Sequence, residues 1–402
     1  MIPFVWRLAS ALALLSACGS EPLGEDEPSP TPAPAPLDDA AVRELFAIPQ
    51  RLAVPHFPDA NPPSVEKLQL GRQLFYDERL SGNGTQSCGT CHLQRLAFAD
   101  GKRTPTGSTG QSLHRNSPGL QNVAYLATLT WASTSLGELE AQIPVPIRGD
   151  DPVELGVSDG QRDEVLARFD ADPGYRDAFA AAFPGSPSGA TIDKIVLALA
   201  TFCRSMISAD SPFDRYSAGD REALSPQQRQ GLALFNGERF ECFHCHTGTN
   251  LTTSYRDRAS QLGSARRPFF NTGLYNVDGE GGYPTSDQGL YDLTLAPRDR
   301  GLFRAPPLRN VALTAPYMHD GSIETLPDVI RHYAAGGRLL EDAPHAGDGR
   351  QSPLKSGLVR GFSATDDEIA AVVAFLEALT DASFVSNPAF SDPSPDADAG
   401  VP

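Results

Sequence analysis

Cys88-Gly89-Thr90-Cys91-His92 and Cys242-Phe243-His244-Cys245-His246 are two C-x-x-C-H runs. Each has the pattern by which a c-type haem is attached. The two thiols add across the vinyl groups of the macrocycle, and the adjacent imidazole reaches the iron as proximal ligand. His92 and His246 are therefore the expected proximal ligands. A zinc site is the competing reading, but it needs further ligand pairs at set spacing. The chain has only six cysteines. Cys88, Cys91, Cys242 and Cys245 go to two haems, and Cys18 has a separate use described below. Cys203 is left in the apolar helical set Ile192, Ile195, Val196, Leu199, Phe202, Met206, where it reads as a small buried hydrophobe. No disulfide framework is implied.

The runs sit in a repeat. Gly71-Arg-Gln-Leu74-Phe75-Tyr-Asp-Glu78-Arg79 precedes the first and Gly231-Leu-Ala-Leu234-Phe235-Asn-Gly-Glu238-Arg239 the second, both reading G-x-x-L-F-x-x-E-R. Each follows a helix start, Ser64-Val65-Glu66 or Ser225-Pro226, with proline suited to a first turn. Two tandem cytochrome c-like haem domains are expected, over 41–220 and 221–383. Thr365-Asp-Asp-Glu368 is a capping box, followed by Ile369, Val372, Val373, Leu376 and Leu379 on one face. Leu326–Tyr333 reads as a short helix stopped by Gly336-Gly337. No strand pattern is sustained. The expected fold is mainly α, with long loops rich in the 36 glycines and 35 prolines and few short strands.

The flanks are different in kind. Residues 1–18 carry Arg7, the apolar run Leu8–Leu15 and then Ser16-Ala17-Cys18. This is an export signal, too short to span a membrane, and its end resembles a bacterial lipobox with Cys18 as the lipidated residue. A plain signal peptide is the alternative. With Gly19 next, an outer-membrane anchor facing the periplasm is expected. Residues 19–40 are Pro-rich and acidic and read as a tether, and 384–402 as a disordered tail. A net charge of −17 argues against nucleic acid or an anionic membrane as partner, leaving the lipid anchor as the one membrane contact.

Residues 70–88, then Arg115-Asn116-Ser117-Pro118, then Pro306-Pro307-Leu308-Arg309-Asn310 through Tyr317-Met318-His319-Asp320-Gly321 resemble the bacterial di-haem cytochrome c peroxidase and MauG superfamily. The likeness runs over about 41–383. Phe270-Asn271-Thr272-Gly273-Leu274-Tyr275-Asn276 and Leu129-Thr130-Trp131-Ala132 are most similar to the MbnH branch, whose members occur beside copper-peptide genes or a copper-binding partner protein.

The resemblance implies roles. Downstream of the second run, Met318, His332 and Tyr333 can each ligate iron. Many peroxidases of the family place a methionine fourteen residues after the position of His319, where this chain has Tyr333. MauG has a tyrosine there, so Tyr333 is the expected sixth ligand, with His332 or Met318 the alternatives. Phenolate stabilises high-valent iron, whereas thioether favours Fe(II). On the first haem the family pattern puts Gln142, Pro146 and Glu154 above an open iron, Glu154 as acid–base for peroxide and Gln142 as its orienting group. The family's distal histidine falls near Ser108, and His114 is out of register. Trp131 matches the indole between the haems. Asn116 with the carbonyls of Thr314 and Pro316 matches an inter-domain calcium site.

The implied function is a periplasmic di-haem oxidoreductase. It would react with hydrogen peroxide and use a bis-Fe(IV)-type state to oxidise an aromatic residue, a tryptophan, of a partner protein. The alternative is a peroxidase that reduces hydrogen peroxide to water with electrons from a small cytochrome or cupredoxin. A third reading is an electron-transfer cytochrome with both irons six-coordinate.

Overall fold

The computed structural model describes residues 37–260, 269–342 and 344–394. The signal and Cys18 lie outside them, as does most of the expected tether.

The repeat is a helix crossing. Helix Val65–Tyr76 starts at Ser64, whose side chain accepts from the Lys67 amide. It packs on helix Ile192–Ser205, where an added Cβ at Gly71 would stand 2.0 Å from the Ala198 carbonyl oxygen and 2.9 Å from Phe202 Cβ. In the second half, Ser225 and Gln228 form a capping box at helix Pro226–Phe235. It packs on helix Asp366–Glu377, which the Thr365–Glu368 capping box starts. There a Cβ at Gly231 would meet the Ala371 oxygen at 1.9 Å and Phe375 Cβ at 2.9 Å. Both glycines are invariant between the two copies because the backbones touch at these points. The partner helices carry a matching Ala-x-x-x-Phe, Ala198 to Phe202 and Ala371 to Phe375.

Each crossing anchors one core. Leu70, Leu74, Phe75, Phe98, Phe179 and Phe202 belong to the first, and Phe235, Phe240, Val372, Phe375, Leu376 and Leu379 to the second. The halves meet along a buried polar seam. Asn122 Nδ2 donates to Asn250 Oδ1 at 2.9 Å, Gln121 Nε2 to the Arg309 carbonyl at 2.8 Å, and Arg309 grips Asp214 by two bonds of 2.7 and 2.8 Å. A separate apolar cluster of Trp131, Leu274, Tyr275, Tyr283, Phe303 and Ile323 joins residues from both sides of the seam. Among the described residues the strands are two-residue pairs, Phe269–Phe270 with Phe303–Arg304 and Leu339–Leu340 with Gly347–Asp348.

Two flank expectations need correcting. Helix Asp39–Leu45, capped by Asp38, begins within the last residues assigned to the tether, and its Val42 joins Phe46 and Tyr125 in a small core. The segment 384–394 is not a disordered tail. Phe384 and Phe390 are buried in the core of the first half. Tyr76 donates to the Phe390 carbonyl at 2.5 Å, and Arg72 to those of Ser391 and Pro388, both at 2.7 Å. Two aromatic side chains among Asp, Ser and Pro are enough to dock the segment, because each removes a large apolar area from water. Residues 395–402 lie outside the described residues.

Candidate functional site

The two C-x-x-C-H runs present their histidines in the same way. Cys88–Cys91 is one helical turn held by a Ser87–Thr90 capping box. His92 Nδ1 lies 2.6 Å from the Phe98 carbonyl oxygen. His246 Nδ1 lies 3.1 Å from that of Leu251. Phe98 and Leu251 both hold a left-handed φ, 65° and 49°, which is uncommon for a residue with a side chain. With Nδ1 engaged by a carbonyl, each ring keeps Nε2 for a metal, the arrangement that fixes tautomer and plane in a ligating histidine. Burial lowers both imidazoles, His246 to about 4, so both are neutral donors. Burial also pushes the thiols up, Cys91 and Cys245 to about 11 and Cys242 to about 12. They are poor free nucleophiles there and suit thioether linkage. Among the described residues no three His, Cys, Asp or Glu side chains converge as a zinc site needs. These residues fit two covalent haems.

Beside His246 is a mostly apolar cavity of about 220 Å³, lined by Cys242, Cys245 and His246 and, from other segments, by Met318, Tyr333 and Trp131. Thr325 caps helix Leu326–Ala334, which carries Tyr333 into this space. His332, its neighbour, does not line the cavity, and its Nε2 lies 3.1 Å from the Thr272 carbonyl. Two of the three expected ligand candidates, Tyr333 and Met318, thus share the cavity with His246. Burial raises the Tyr333 phenol, and the Cys245 and Cys242 sulfurs add to the shift. A bound cation would reverse that direction. Trp131 is 8% exposed and donates from Nε1 to the Asn116 carbonyl at 2.8 Å. Asn116, Thr314 and Pro316 line the same cavity. The Asn116 amide nitrogen donates to the Lys102 carbonyl at 2.9 Å.

The first site is built from short turns. Gln142 ends the turn Leu139–Gln142, and Pro146 lies in Pro144–Arg148. The Pro146 carbonyl accepts from the Leu155 amide at 2.9 Å and so ties down the loop that carries Glu154. Burial alone raises the Glu154 carboxyl, and its charge acts on both Cys88 and Cys91. Gln142 Oε1 is buried and has no hydrogen-bond partner among the described residues. The Ser108 amide donates to the Glu154 carbonyl at 2.8 Å, while His114 is exposed. The Ser108 backbone thus stands beside a desolvated acid.

Residues 65–222 match the family described as di-haem cytochrome c peroxidase. The chain is 36% identical over 338 residues to cytochrome-c peroxidase IdrP1 of Pseudomonas sp. (strain SCT), covering 80% of this chain and 83% of that one. It is 33% identical over 344 residues to methylamine utilization protein MauG of Methylorubrum extorquens, covering 85% of each. It therefore belongs to the di-haem cytochrome c peroxidase and MauG family. The members of this family are peroxide-dependent di-haem oxidoreductases. A solved structure of a MauG-like protein associated with microbial copper homeostasis superposes with a TM-score of 0.84 at 48% identity, covering 86% of this chain and 98% of that one.

Several site residues have no sequence signal. Phe98 and Leu251 act through their carbonyls, which every residue has. Arg304 is 3% exposed and lines the cavity. Its Nε donates to the Thr130 carbonyl at 2.7 Å, its Nη1 has no partner among the described residues, and burial lowers it to about 10. An unpaired buried guanidinium calls for an anion, and a haem propionate is one.

Proposed function

We propose that the chain is a periplasmic di-haem enzyme that takes two oxidising equivalents from hydrogen peroxide at the His92 side. It delivers them to an aromatic residue, a tryptophan, of a partner protein. The observation that carries this reading is Tyr333 in one cavity with His246 and Trp131. Cys88, Cys91 and His92 would hold one haem c. Cys242, Cys245, His246 and Tyr333 would hold the other. Bound there, the haems supply peroxide cleavage at one centre and storage of oxidising power at both. As a phenolate donor, Tyr333 would disfavour reduction of the haem held there.

At the first site, Glu154 takes the proton from the inner peroxide oxygen and returns it to the departing one. Its burial raises the carboxyl and so suits it to release and recapture a proton nearer neutrality. Gln142, whose buried carbonyl oxygen has no partner among the described residues, orients the peroxide, and Pro146 shapes the loop beside it. Trp131, held by Asn116, carries electrons between the two sites. Asn116, Thr314 and Pro316 would hold a calcium ion that fixes this seam. Cys18 would anchor the mature chain by lipid to the outer membrane. Association of a similar protein with copper homeostasis favours a copper-binding partner.

The experiment is peroxide addition to the fully oxidised protein, followed by optical, near-infrared and Mössbauer spectra. High-valent iron at both centres, with loss of the low-spin second-haem signal in Tyr333→Phe, is the expected result. An unchanged low-spin signal in that variant refutes the ligand assignment. A second reading has its own support: Met318 shares the cavity, and a relative is named a cytochrome-c peroxidase. Turnover only after prior half-reduction, with a methionine-type spectrum, would select peroxide reduction to water by a small cytochrome or cupredoxin.

A further inference from the structure

Trp131 is buried, so oxidising equivalents that reach it need a route outward. The apolar cluster around Trp131 contains two tyrosines, Tyr275 and Tyr283. From the cavity wall, Phe303 and His319 stack at 3.6 Å between ring centroids. Tyr283 lies 5.9 Å from Phe303 and 6.2 Å from His319. Tyr275 follows at 5.4 Å from Tyr283, and His345 stands edge-on to Tyr275 at 5.7 Å. His345 is half-buried between exposed Pro344 and Ala346. The row of rings therefore runs from the cavity wall to within one side chain of solvent.

The two phenols differ in where their protons can go. Tyr283 donates to the Asn271 amide oxygen at 3.1 Å, and an amide does not take up a proton. Tyr275 donates to Asp320 Oδ2 at 2.6 Å, the short distance of a charge-assisted O–H···O⁻ bond. A phenol loses an electron far more readily when its proton leaves in the same step, because a protonated phenoxyl cation is a strong acid. Only Tyr275 has a base in place. Asp320 is itself held by the Ser322 amide on its other oxygen, at 3.1 Å, so it can accept the proton without moving.

We infer that Tyr275, with Asp320 as its proton acceptor, is the relay at which oxidising equivalents leave the Trp131 cavity for a partner docked over His345. The inference rests on the proposed peroxide chemistry. Hydrogen peroxide is the oxidant, and each molecule supplies two one-electron oxidations. In each, Tyr275 gives one electron inward along the ring row and its phenolic proton to Asp320 Oδ2. The neutral tyrosyl radical then takes one electron from the partner's aromatic side chain, and the proton returns from Asp320. Tyr283 passes charge but does not retain the hole.

The test uses the full-length di-haem protein treated with hydrogen peroxide without a partner, frozen at successive times for EPR. A parallel sample is digested and its oxidised or cross-linked tyrosine peptides are mapped by mass spectrometry. The expected result is a neutral tyrosyl signal, with modification at Tyr275. Tyr275→Phe keeps the ring and should abolish both while slowing decay of the peroxide-charged optical spectrum. Asp320→Asn keeps an acceptor for the hydroxyl but removes the base, and should abolish the radical with Tyr275 still present. Tyr283→Phe should leave the radical on Tyr275. If the charged spectrum forms but Tyr275→Phe and Asp320→Asn leave the radical and the decay unchanged, the relay is refuted and the peroxide reading stands. If wild-type protein forms no charged spectrum, both fall.

Discussion

Glu154→Gln isolates the chemistry of one atom pair. The side chain is desolvated, its carboxyl is raised by burial alone, and it makes no side-chain hydrogen bond to the other described residues. Glutamine has the same shape and offers no titrating oxygen, so packing is preserved. Positioned acid–base catalysis contributes roughly 10²–10⁴-fold, and that is the expected fall in the bimolecular rate with hydrogen peroxide, measured by stopped-flow absorbance in the Soret region. The pH dependence has a definite sign. The base form is required, so the wild-type rate rises with pH through a value above the ordinary glutamate range, and the Gln variant is flat across that window. Stability moves the other way. The folded carboxyl holds its proton more tightly than the unfolded one, so its contribution is most favourable below the unfolded pKa and declines as pH rises through the folded pKa. At neutral pH the Gln variant should therefore melt at the same temperature as wild type or higher. A variant that reacts within an order of magnitude of wild type, or keeps the same pH profile, would remove Glu154 from the reaction.

Three structural predictions accompany it. Gly71→Ala and Gly231→Ala each drive a methyl to 2.0 or 1.9 Å from a helix carbonyl oxygen. The overpacking cost, about 1–3 kcal/mol or more, exceeds the gain in helix propensity of about 1 kcal/mol, so both should lower the melting temperature of the haem-loaded protein, and a rise would contradict the crossing. Asp214→Asn breaks the buried pair with Arg309 and should destabilise by about 3–5 kcal/mol. Burial pushes the Asp214 carboxyl up, but the hydrogen bonds and charge of Arg309 outweigh it and hold the carboxyl below its usual range. The contribution is thus present above the unfolded carboxylate pKa and lost as pH falls through the lower folded value, so denaturant titrations should show the two proteins converging only below about pH 4. Ending the chain at 383 removes the buried Phe384 and Phe390. It should cost at least about 3 kcal/mol in the same titrations, and an unchanged midpoint would mean that the segment does not dock.

Much of this architecture is legible in the chain because its strongest determinants are local. Ser64, Ser225 and Thr365 start helices through contacts three residues away, and the repeated glycine marks the point where two backbones touch. The site is legible in part. The histidines and thiols carry a spacing rule, whereas Phe98, Leu251 and Arg304 work through a carbonyl or an unpaired guanidinium that only the folded chain brings into place. The docked segment 384–394 is hidden for a related reason. Its composition is that of a polar tail, and only the hydrophobic surface near Phe98 (5.7 Å between its ring and that of Phe384) gives those aromatic residues somewhere to go. Asp320 reads as an ordinary loop acid until Tyr275, distant in sequence, is placed against it.

On the proposed function the two centres differ, and the repeat constrains where that asymmetry comes from. Both histidines are locked by a carbonyl on a left-handed residue, and both halves are built on the same glycine crossing. Equal proximal donors cannot by themselves give one centre that cleaves peroxide and one that does not. The difference has to lie in groups outside the repeated motif: Glu154 and Gln142 on one side, Tyr333 and Arg304 on the other. These stand on the turns at 139–156 and on the segments at 303–304 and 326–334, which the two halves do not share. Exchange of function between the centres should therefore follow substitution of these opposing groups, while changes to the proximal histidines or to the glycine crossing should damage either centre without converting it into the other.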